Sequence, residues 1–167
     1  NVFEELNAIK RCIADIYPCM KIEIVFCNHF RDLMDKIDSG MIHAGITVNH
    51  SIYSHSETKS LVLSKSNRII VFSKNYPLEN KSKLTPKDFK NEPFILVDAK
   101  GNGSKQIRKF CEPYGFNPVI INAQGTEDLI MHLQALKGVS IVDPWLRFTI
   151  QNEFSFISTD EETQLVL

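Results

Sequence analysis

The sequence has few cysteines, glycines and prolines, and it has no excess of charge of one sign. Its 167 residues include 4 Cys, 7 Gly and 7 Pro, and 19 basic residues face 20 acidic ones, for a formal net charge of −1. This composition excludes a disulfide scaffold, a low-complexity chain and a basic nucleic-acid surface. No apolar run reaches 18 residues, and the first residues do not have the composition of a signal peptide.

The cysteines and histidines do not have the spacing of metal ligands. Cys12, Cys19, Cys27 and Cys111 form no Cys-x-x-Cys pair, and the five histidines show no ligand pattern. Three of the thiols stand beside apolar residues and are expected to be buried, which fits a reducing compartment. No catalytic triad or dyad is recognisable either. We therefore predict no metal, no cofactor and no enzymatic activity.

What the sequence does contain is a substantial apolar fraction, 43%, arranged around the central stretch Arg68–Leu78. The run Ile69-Ile70-Val71-Phe72 predicts a strand that is buried on both faces. A polar turn, Ser73-Lys74-Asn75, ends the strand. Helix and strand patterns lie on both sides of this stretch, so we interpret it as the segment that carries the chain from one lobe into another.

Before this stretch, helical and strand periodicities alternate with short loops, which is typical of a parallel sheet with covering helices. The predicted elements are a helix from Val2 to Ile16, a strand at Lys21–Phe26, a helix from Phe30 that ends at Ser39-Gly40, a strand at Met41–Val48 and a short strand at Ser60–Leu63.

After it, the same alternation continues. We predict a helical turn at Leu84–Phe89 with Thr85 as its cap, a strand at Pro93–Val97, a loop at Asp98–Ser104, a helix through Ile107 and Phe110, a strand at Val119–Ile121, a helix capped by Thr126, a strand at Val139–Val142 and a last edge strand at Phe154–Ile157.

The order and spacing of several short motifs match one known family. These motifs are Ala44-Gly45-Ile46, the apolar strand followed by Tyr76-Pro77-Leu78, Pro93-Phe94-Ile95, Gly115-Phe116-Asn117-Pro118 and Gly138 to Pro144. Together they resemble the effector-binding (regulatory) domain of LysR-type transcriptional regulators, over nearly the whole chain. The sequence departs from the family at His43, where an acidic residue is common, and at Tyr76, where His is usual.

The resemblance implies an α/β fold of two lobes joined by two crossover strands, similar to the type 2 periplasmic binding proteins. Residues 1–67 and 145–167 are expected to form subdomain I, and residues 68–144 subdomain II. The family's first strand of lobe one is expected before Asn1 and is missing from this sequence. The winged helix-turn-helix is also absent, so DNA is expected to bind only through a missing N-terminal domain.

The resemblance also implies a small-molecule effector, such as a carboxylate or an amino acid, in the cleft between the lobes. In such folds ligands meet the carboxyl ends of strands and the amino ends of helices. The same residues also suit simple caps or loop positions. The ligand-binding candidates are Asn28, His29, Thr47, Val97, Asp98, Ala99, Gly103, Ser104, Gln124, Thr126 and Ser140.

By the same resemblance we expect a cytoplasmic homodimer formed through the helix at residues 3–16, the strand at 21–26 and the helix at 104–113, with a tetramer possible in the full-length protein. No contact with a membrane is expected. The preferred hypothesis is an effector sensor of a transcription regulator. The alternatives are a solute-binding protein of a transporter and, on the same fold, a small enzyme such as an aromatic-acid dehydratase, with Asp98 as its one candidate acid or base.

Overall fold

The computed structural model describes residues 2–27, 30–48, 59–78, 83–97, 102–145 and 152–167. The chain forms two compact units, one of Asn1–Ser66 with Thr163–Leu167 and the other of Asn67–Glu162. The backbone passes between these units in two strands, β2 (Val62–Ser73) and β6 (Phe154–Val166). The sequence-based subdomain boundaries, 1–67 with 145–167 against 68–144, stay a prediction.

Unit one contains α1 (Val2–Ile16), α2 (Phe30–Asp38) and the two-residue strand β1 (Thr47–Val48). The predicted ends of both helices are confirmed, and Gly40 follows α2 with a φ of 70°. β1 pairs antiparallel with the end of β6. The apolar residues buried in this unit are Leu33 and Met34 of α2 and Leu165 and Val166 of β6.

The strand predicted at Lys21–Phe26 is wrong, because these residues form no strand in the structure. Its alternating apolar residues have no sheet neighbour among the described residues, and Phe26 remains 75% exposed. The strand predicted at Met41–Val48 is reduced to Thr47–Val48 for the same reason, since only these two residues reach a partner, Val166 and Leu165. An alternating pattern becomes a strand only where another strand completes its hydrogen bonds.

Unit two is built on β3 (Phe94–Val97), β4 (Ile120–Ala123), β5 (Ser140–Val142) and the unit-two parts of β2 and β6. β2 and β5 pair antiparallel, with Ile70 opposite Ile141, and β3 and β4 pair parallel. An isolated parallel bridge joins Phe94 to Val139, and the Ile95 amide donates to the Val139 carbonyl at 2.7 Å. β3 therefore lies between β4 and the start of β5.

Side chains of the central strand alternate between two apolar cores. Ile70 and Phe72 pack in one core, which the helix α3 (Asn102–Cys111) covers with Ile107 and Phe110. The intervening residues, Ile69 and Val71, pack in the other core, which the helix α4 (Thr126–Gln134) covers with Leu129 and Leu133. The run Ile69–Phe72 is thus buried on both faces, as predicted.

Two strands are longer than the sequence indicated. The short strand predicted at Ser60–Leu63 and the buried run after it form one continuous strand, β2, which neighbours β6 in the sheet. The last strand, predicted at Phe154–Ile157, extends to Val166. β1 reaches it only at Leu165 and Val166, so the prediction of an edge at Phe154–Ile157 stays a prediction. Thr85 and Pro86 do start a short 3₁₀ helix, Pro86–Phe89, as predicted.

The thiols are less buried than the sequence suggested. Only Cys111 is buried, whereas Cys27 is half-buried and both Cys12 and Cys19 are exposed. The expectation of three buried thiols is wrong: Cys12 lies on α1, which buries none of its residues, and Cys19 and Cys27 lie in the segment after it, which forms no helix or strand. Among the described residues, no helix is long and apolar enough to cross a membrane.

Candidate ligand-binding site

The parallel pair of β3 and β4 brings two strand-to-helix junctions to one edge of the sheet of unit two. Val97 and Ala123, the last residues of the two strands, lie opposite each other. Each strand leads to a helix, β3 to α3 and β4 to α4. Paired parallel strands end at the same edge of a sheet, so the chain leaves β3 and β4 at the same edge. The described candidates at these two strand ends and the helix starts that follow them are Val97, Gly103, Ser104, Gln124 and Thr126.

At the α4 junction, Gly125 is the N-cap, and Thr126 is the first helical residue. The Gly125 carbonyl accepts the first helical hydrogen bond from Leu129 at 3.0 Å. The prediction of Thr126 as the cap is therefore wrong by one position: the chain enters the helix through extended Gly125 (φ −178°). Gln124 and Thr126 both remain exposed, so their side chains are accessible to a ligand.

Sequence reasoning missed the role of Asp128 at this junction. One carboxylate oxygen of Asp128 accepts the backbone N–H of Gln124 at 2.9 Å, and the other lies 3.5 Å from Nε2 of His132. With Glu127, Asp128 also places negative charge in the first turn of α4, where it offsets the positive end of the helix dipole. The available signal was an acidic residue in the third position of a helix, which commonly bonds back to the preceding backbone.

At the α3 junction, Gly103 and Ser104 lie in the first turn of the helix and are half-buried. The predicted Gly-containing loop at Asp98–Ser104 is therefore wrong at its end, because α3 already begins at Asn102. The first turn of α3 contains no acidic residue, in contrast to that of α4. Asp98 and Ala99 lie outside the described residues.

Ser140 is the first residue of β5, directly follows Val139 of the Phe94–Val139 bridge, and is 1% exposed. Its hydroxyl donates to the Ile95 carbonyl at 2.8 Å. That hydrogen bond joins β5 to β3, and a direct ligand contact of this hydroxyl would require it to break. The prediction of Ser140 as a ligand contact stays a prediction.

The remaining candidates belong to unit one. Thr47 is half-buried in β1, and its hydroxyl lies 3.4 Å from the Val48 carbonyl. Asn28 and His29 lie outside the described residues. Within the described part of the chain, no group of three or more His, Cys, Asp or Glu side chains could hold a metal ion.

Curated sequences similar to this chain include two transcriptional regulators. The HTH-type transcriptional regulator AlsR of Bacillus subtilis (strain 168) is 28% identical over 137 residues, which are 78% of this chain and 43% of AlsR. MetR of Salmonella typhimurium (strain LT2) is 23% identical over 84 residues, which are 50% of this chain and 26% of MetR. The matches thus cover less than half the length of either relative.

Solved structures give the same assignment of the fold. The BenM effector binding domain with its effector benzoate is similar to this chain with a TM-score of 0.74 at 16% identity, covering 96% of this chain and 75% of that one. This confirms the α/β fold of the periplasmic-binding-protein type. The family described as LysR substrate binding domain matches residues 13–162. The chain therefore belongs to this family, the effector-binding domain of LysR-type transcriptional regulators.

Proposed function

We propose that this chain is the sensor of a LysR-type regulator: it binds a small-molecule effector and passes the binding signal to an N-terminal DNA-binding domain that lies outside this sequence. The observation that carries the proposal is the meeting of the α3 and α4 junctions at one edge of the β3–β4 pair. A ligand that favours one conformation of the domain shifts the population of that conformation, and this shift is the signal.

The two junctions suit different parts of one effector. Gly103 and Ser104 lie in the first turn of α3, which contains no acidic residue, and the positive end of the helix dipole there favours an anion such as a carboxylate. At the other junction, Asp128 and Glu127 favour a hydrogen-bond donor or an amino group, with Gln124 and Thr126 as accessible partners. The effector class that fits both is a carboxylate with a donor group, such as an amino acid.

The remaining sequence candidates complete the proposed site. Val97 ends β3 and is 44% exposed, next to Asp98 and Ala99 in the sequence. The other proposed contacts are Asn28, His29, Thr47 and Ser140. We propose no catalytic role for any of them, and we propose that the protein acts in the cytoplasm, where its target DNA lies.

The experiment is a thermal-shift screen of the chain against benzoate, other small carboxylates and amino acids, followed by calorimetric titration of each compound that stabilises it. Thr126→Val and Asn28→Ala are expected to weaken binding of the identified compound about tenfold, as loss of one polar contact does. Thr85→Val is the matched control, because Thr85 bonds Asp88 at a different helix start. Unchanged affinity in both site variants would refute the site.

We also propose that the chain forms a homodimer through α1, the segment 21–26 and α3. Apolar side chains in the first two regions are exposed in the single chain, including Ile16, Ile24 and Phe26. Exposed apolar surface of this kind is typical of subunit interfaces.

Sedimentation equilibrium tests the dimer. Phe26→Glu is expected to shift the chain to monomer, because it places a charge in the proposed apolar interface. Met41→Glu is the control, since Met41 is 71% exposed in the same unit but lies outside the proposed elements. Equal dissociation constants for the wild type and Phe26→Glu would contradict this interface. Whether full-length dimers pair into tetramers is measured in the same way on the complete protein.

A further inference from the structure

The backbone passes between the two units at two places, after Ser66 in β2 and after Glu162 in β6. Any signal that travels along the backbone from one unit to the other must pass through these strands. Side chains that hold β2 and β6 in place near these two crossing points therefore influence the signal. Arg68 and Glu161, each within two residues of a passage, form an ion pair there.

Arg68 holds three strands with its backbone and its side chain. Its side chain is only 14% exposed, and Nε donates to Oδ1 of Asp143, just beyond β5, at 3.3 Å. Nη1 lies 3.6 Å from Oε2 of Glu161 in β6. The backbone carbonyl oxygen of Arg68 accepts a hydrogen bond of 2.9 Å from the hydroxyl of Thr159, which also lies in β6 and is 2% exposed. One residue of β2 thus binds both β5 and β6.

The Arg68 guanidinium compensates part of the charge of Glu161. The Glu161 side chain is 40% exposed, but its Oε2 atom is buried, has no hydrogen-bond donor among the described residues and lies 3.6 Å from Nη1 of Arg68. The carboxylate faces the end of α3 as well: burial raises the pKa of the Cys111 thiol to about 12, with the Glu161 charge as a further cause. Burial, then the charges of Asp160 and Glu161, also raise the pKa of Tyr114.

We propose that Arg68 is a clamp that joins the unit-two ends of β2 and β6 to β5 as one rigid body. Ligand-dependent bending of the two connecting strands is then confined to residues on the unit-one side of Arg68 and Glu161. Arg68 is a positioning residue in this role and touches no effector. The clamp is a property of the ligand-free chain, so it stands or falls separately from the proposed effector site.

Hydrogen exchange of the ligand-free chain, followed by mass spectrometry, tests the clamp. Arg68→Met keeps the apolar stem of the side chain and removes the charge. Amides at residues 67–71 and 157–162 are expected to exchange at least about tenfold faster, as loss of a charge-assisted hydrogen bond predicts. Amides of β3 and β4 are expected to exchange as in the wild type.

The control is Lys74→Met, which removes a cation from the other end of β2, where Lys74 bonds the Asn152 carbonyl at an exposed position. It is expected to leave exchange at 67–71 and 157–162 unchanged. Faster exchange spread evenly over β3 and β4, no change in Arg68→Met, or an equal effect of Lys74→Met would each overturn the clamp.

If Arg68→Met does not fold, Glu161→Gln gives the same test at a side chain that is 40% exposed. Exchange at 67–71 and 157–162 is then expected to rise about threefold, because the ion pair is lost while the hydrogen bonds of Arg68 to Asp143 and Thr159 remain. Wild-type exchange rates in this variant would contradict the role of Glu161.

Discussion

The hydroxyl of Ser140 in β5 donates a hydrogen bond of 2.8 Å to the carbonyl oxygen of Ile95 in β3, and both residues are buried. One residue earlier, the Val139 carbonyl accepts the Ile95 amide at 2.7 Å. The Ser140 side chain thus adds a second hydrogen bond to β3, next to the backbone hydrogen bond at Val139. β3 leads to the α3 junction of the proposed site, so this hydrogen bond connects that part of the site to β5.

Ser140→Ala is expected to lower the free energy of unfolding by about 1–3 kcal/mol, since it removes a buried donor and its bond to the Ile95 carbonyl. Urea denaturation followed by the fluorescence of the single Trp, Trp145, measures this in unit two. Ser158→Ala is the control: Ser158 is exposed, its hydroxyl lies 3.5 Å from a carbonyl, and a change within about 0.5 kcal/mol is expected. Equal stabilities of the two variants would contradict the role of Ser140.

Gly138 is fixed by a close approach of two backbone segments. A Cβ atom at this position would lie 2.3 Å from the Pro93 carbonyl oxygen, which accepts the Val139 amide at 2.9 Å. Gly138→Ala is therefore expected to destabilise the protein by about 3 kcal/mol or more, since the backbone must shift.

Gly115→Ala is the matched control for Gly138→Ala. Gly115 has a φ of 79° and open space around its Cβ position, so its substitution is expected to cost only the conformational penalty of about 1–2 kcal/mol. The same urea titration compares the two. A smaller loss for Gly138→Ala than for Gly115→Ala would show that the Pro93 contact does not limit this position.

Asp128 stabilises the start of α4 through the N–H of Gln124. Asp128→Ala is expected to lower the free energy of unfolding by about 1 kcal/mol, the usual effect of losing a side-chain bond at a helix start. Glu127→Ala removes an equal charge from the same turn at an exposed position, and it separates the effect of charge from that of the hydrogen bond. If both variants lose equal stability, the charge and not the bond is responsible.

The sequence-based prediction was most accurate for the central strand, which is buried on both faces. Ile70 and Val71 are fully buried in β2, and the β-branched residues of this short run, followed by a polar turn, favour a strand over a buried helix. The helix ends at Ile16 and Asp38 were predictable because Pro18 and Gly40 stop a helix locally. The family resemblance, confirmed by the match over residues 13–162, supplied the arrangement into lobes that periodicity alone does not give.

Elements that depend on a distant partner were predicted less well. Lys21–Phe26 alternates like a strand but has no neighbour to pair with in the described residues. β6 is longer than predicted, and its neighbours are β2 and, at Leu165 and Val166, β1. In the candidate site, the edge shared by the two junctions follows from strand order and was predictable. The hydrogen bonds of Asp128 and Ser140 were not predictable, because predicting each of them requires knowing to within one residue where α4 or β5 starts.

The Cys111 thiol is expected to be unreactive in the native protein. Burial raises its pKa from the ordinary 9.0 to about 12, and the thiolate is the form that reacts. At pH 8, a thiol reagent such as 5,5′-dithiobis(2-nitrobenzoate) is expected to modify the exposed Cys12 and Cys19 quickly and Cys111 only after denaturant is added. Cys111→Ala is the control that identifies the slow signal, and fast native labelling that disappears in this variant would contradict the prediction.

The raised pKa of the Cys111 thiol also gives a pH dependence with a definite sign. Below pH 9 the thiol is protonated in both the folded and the unfolded chain, so it adds no pH dependence there. Between pH 9 and about 12 the unfolded chain releases the proton and the folded chain keeps it, so the stability of the wild type falls as the pH rises. The stability of Cys111→Ala, measured by urea denaturation at pH 8 and pH 10, is expected to fall less over this interval. Equal losses in the two proteins would show that Cys111 does not contribute to the alkaline destabilisation.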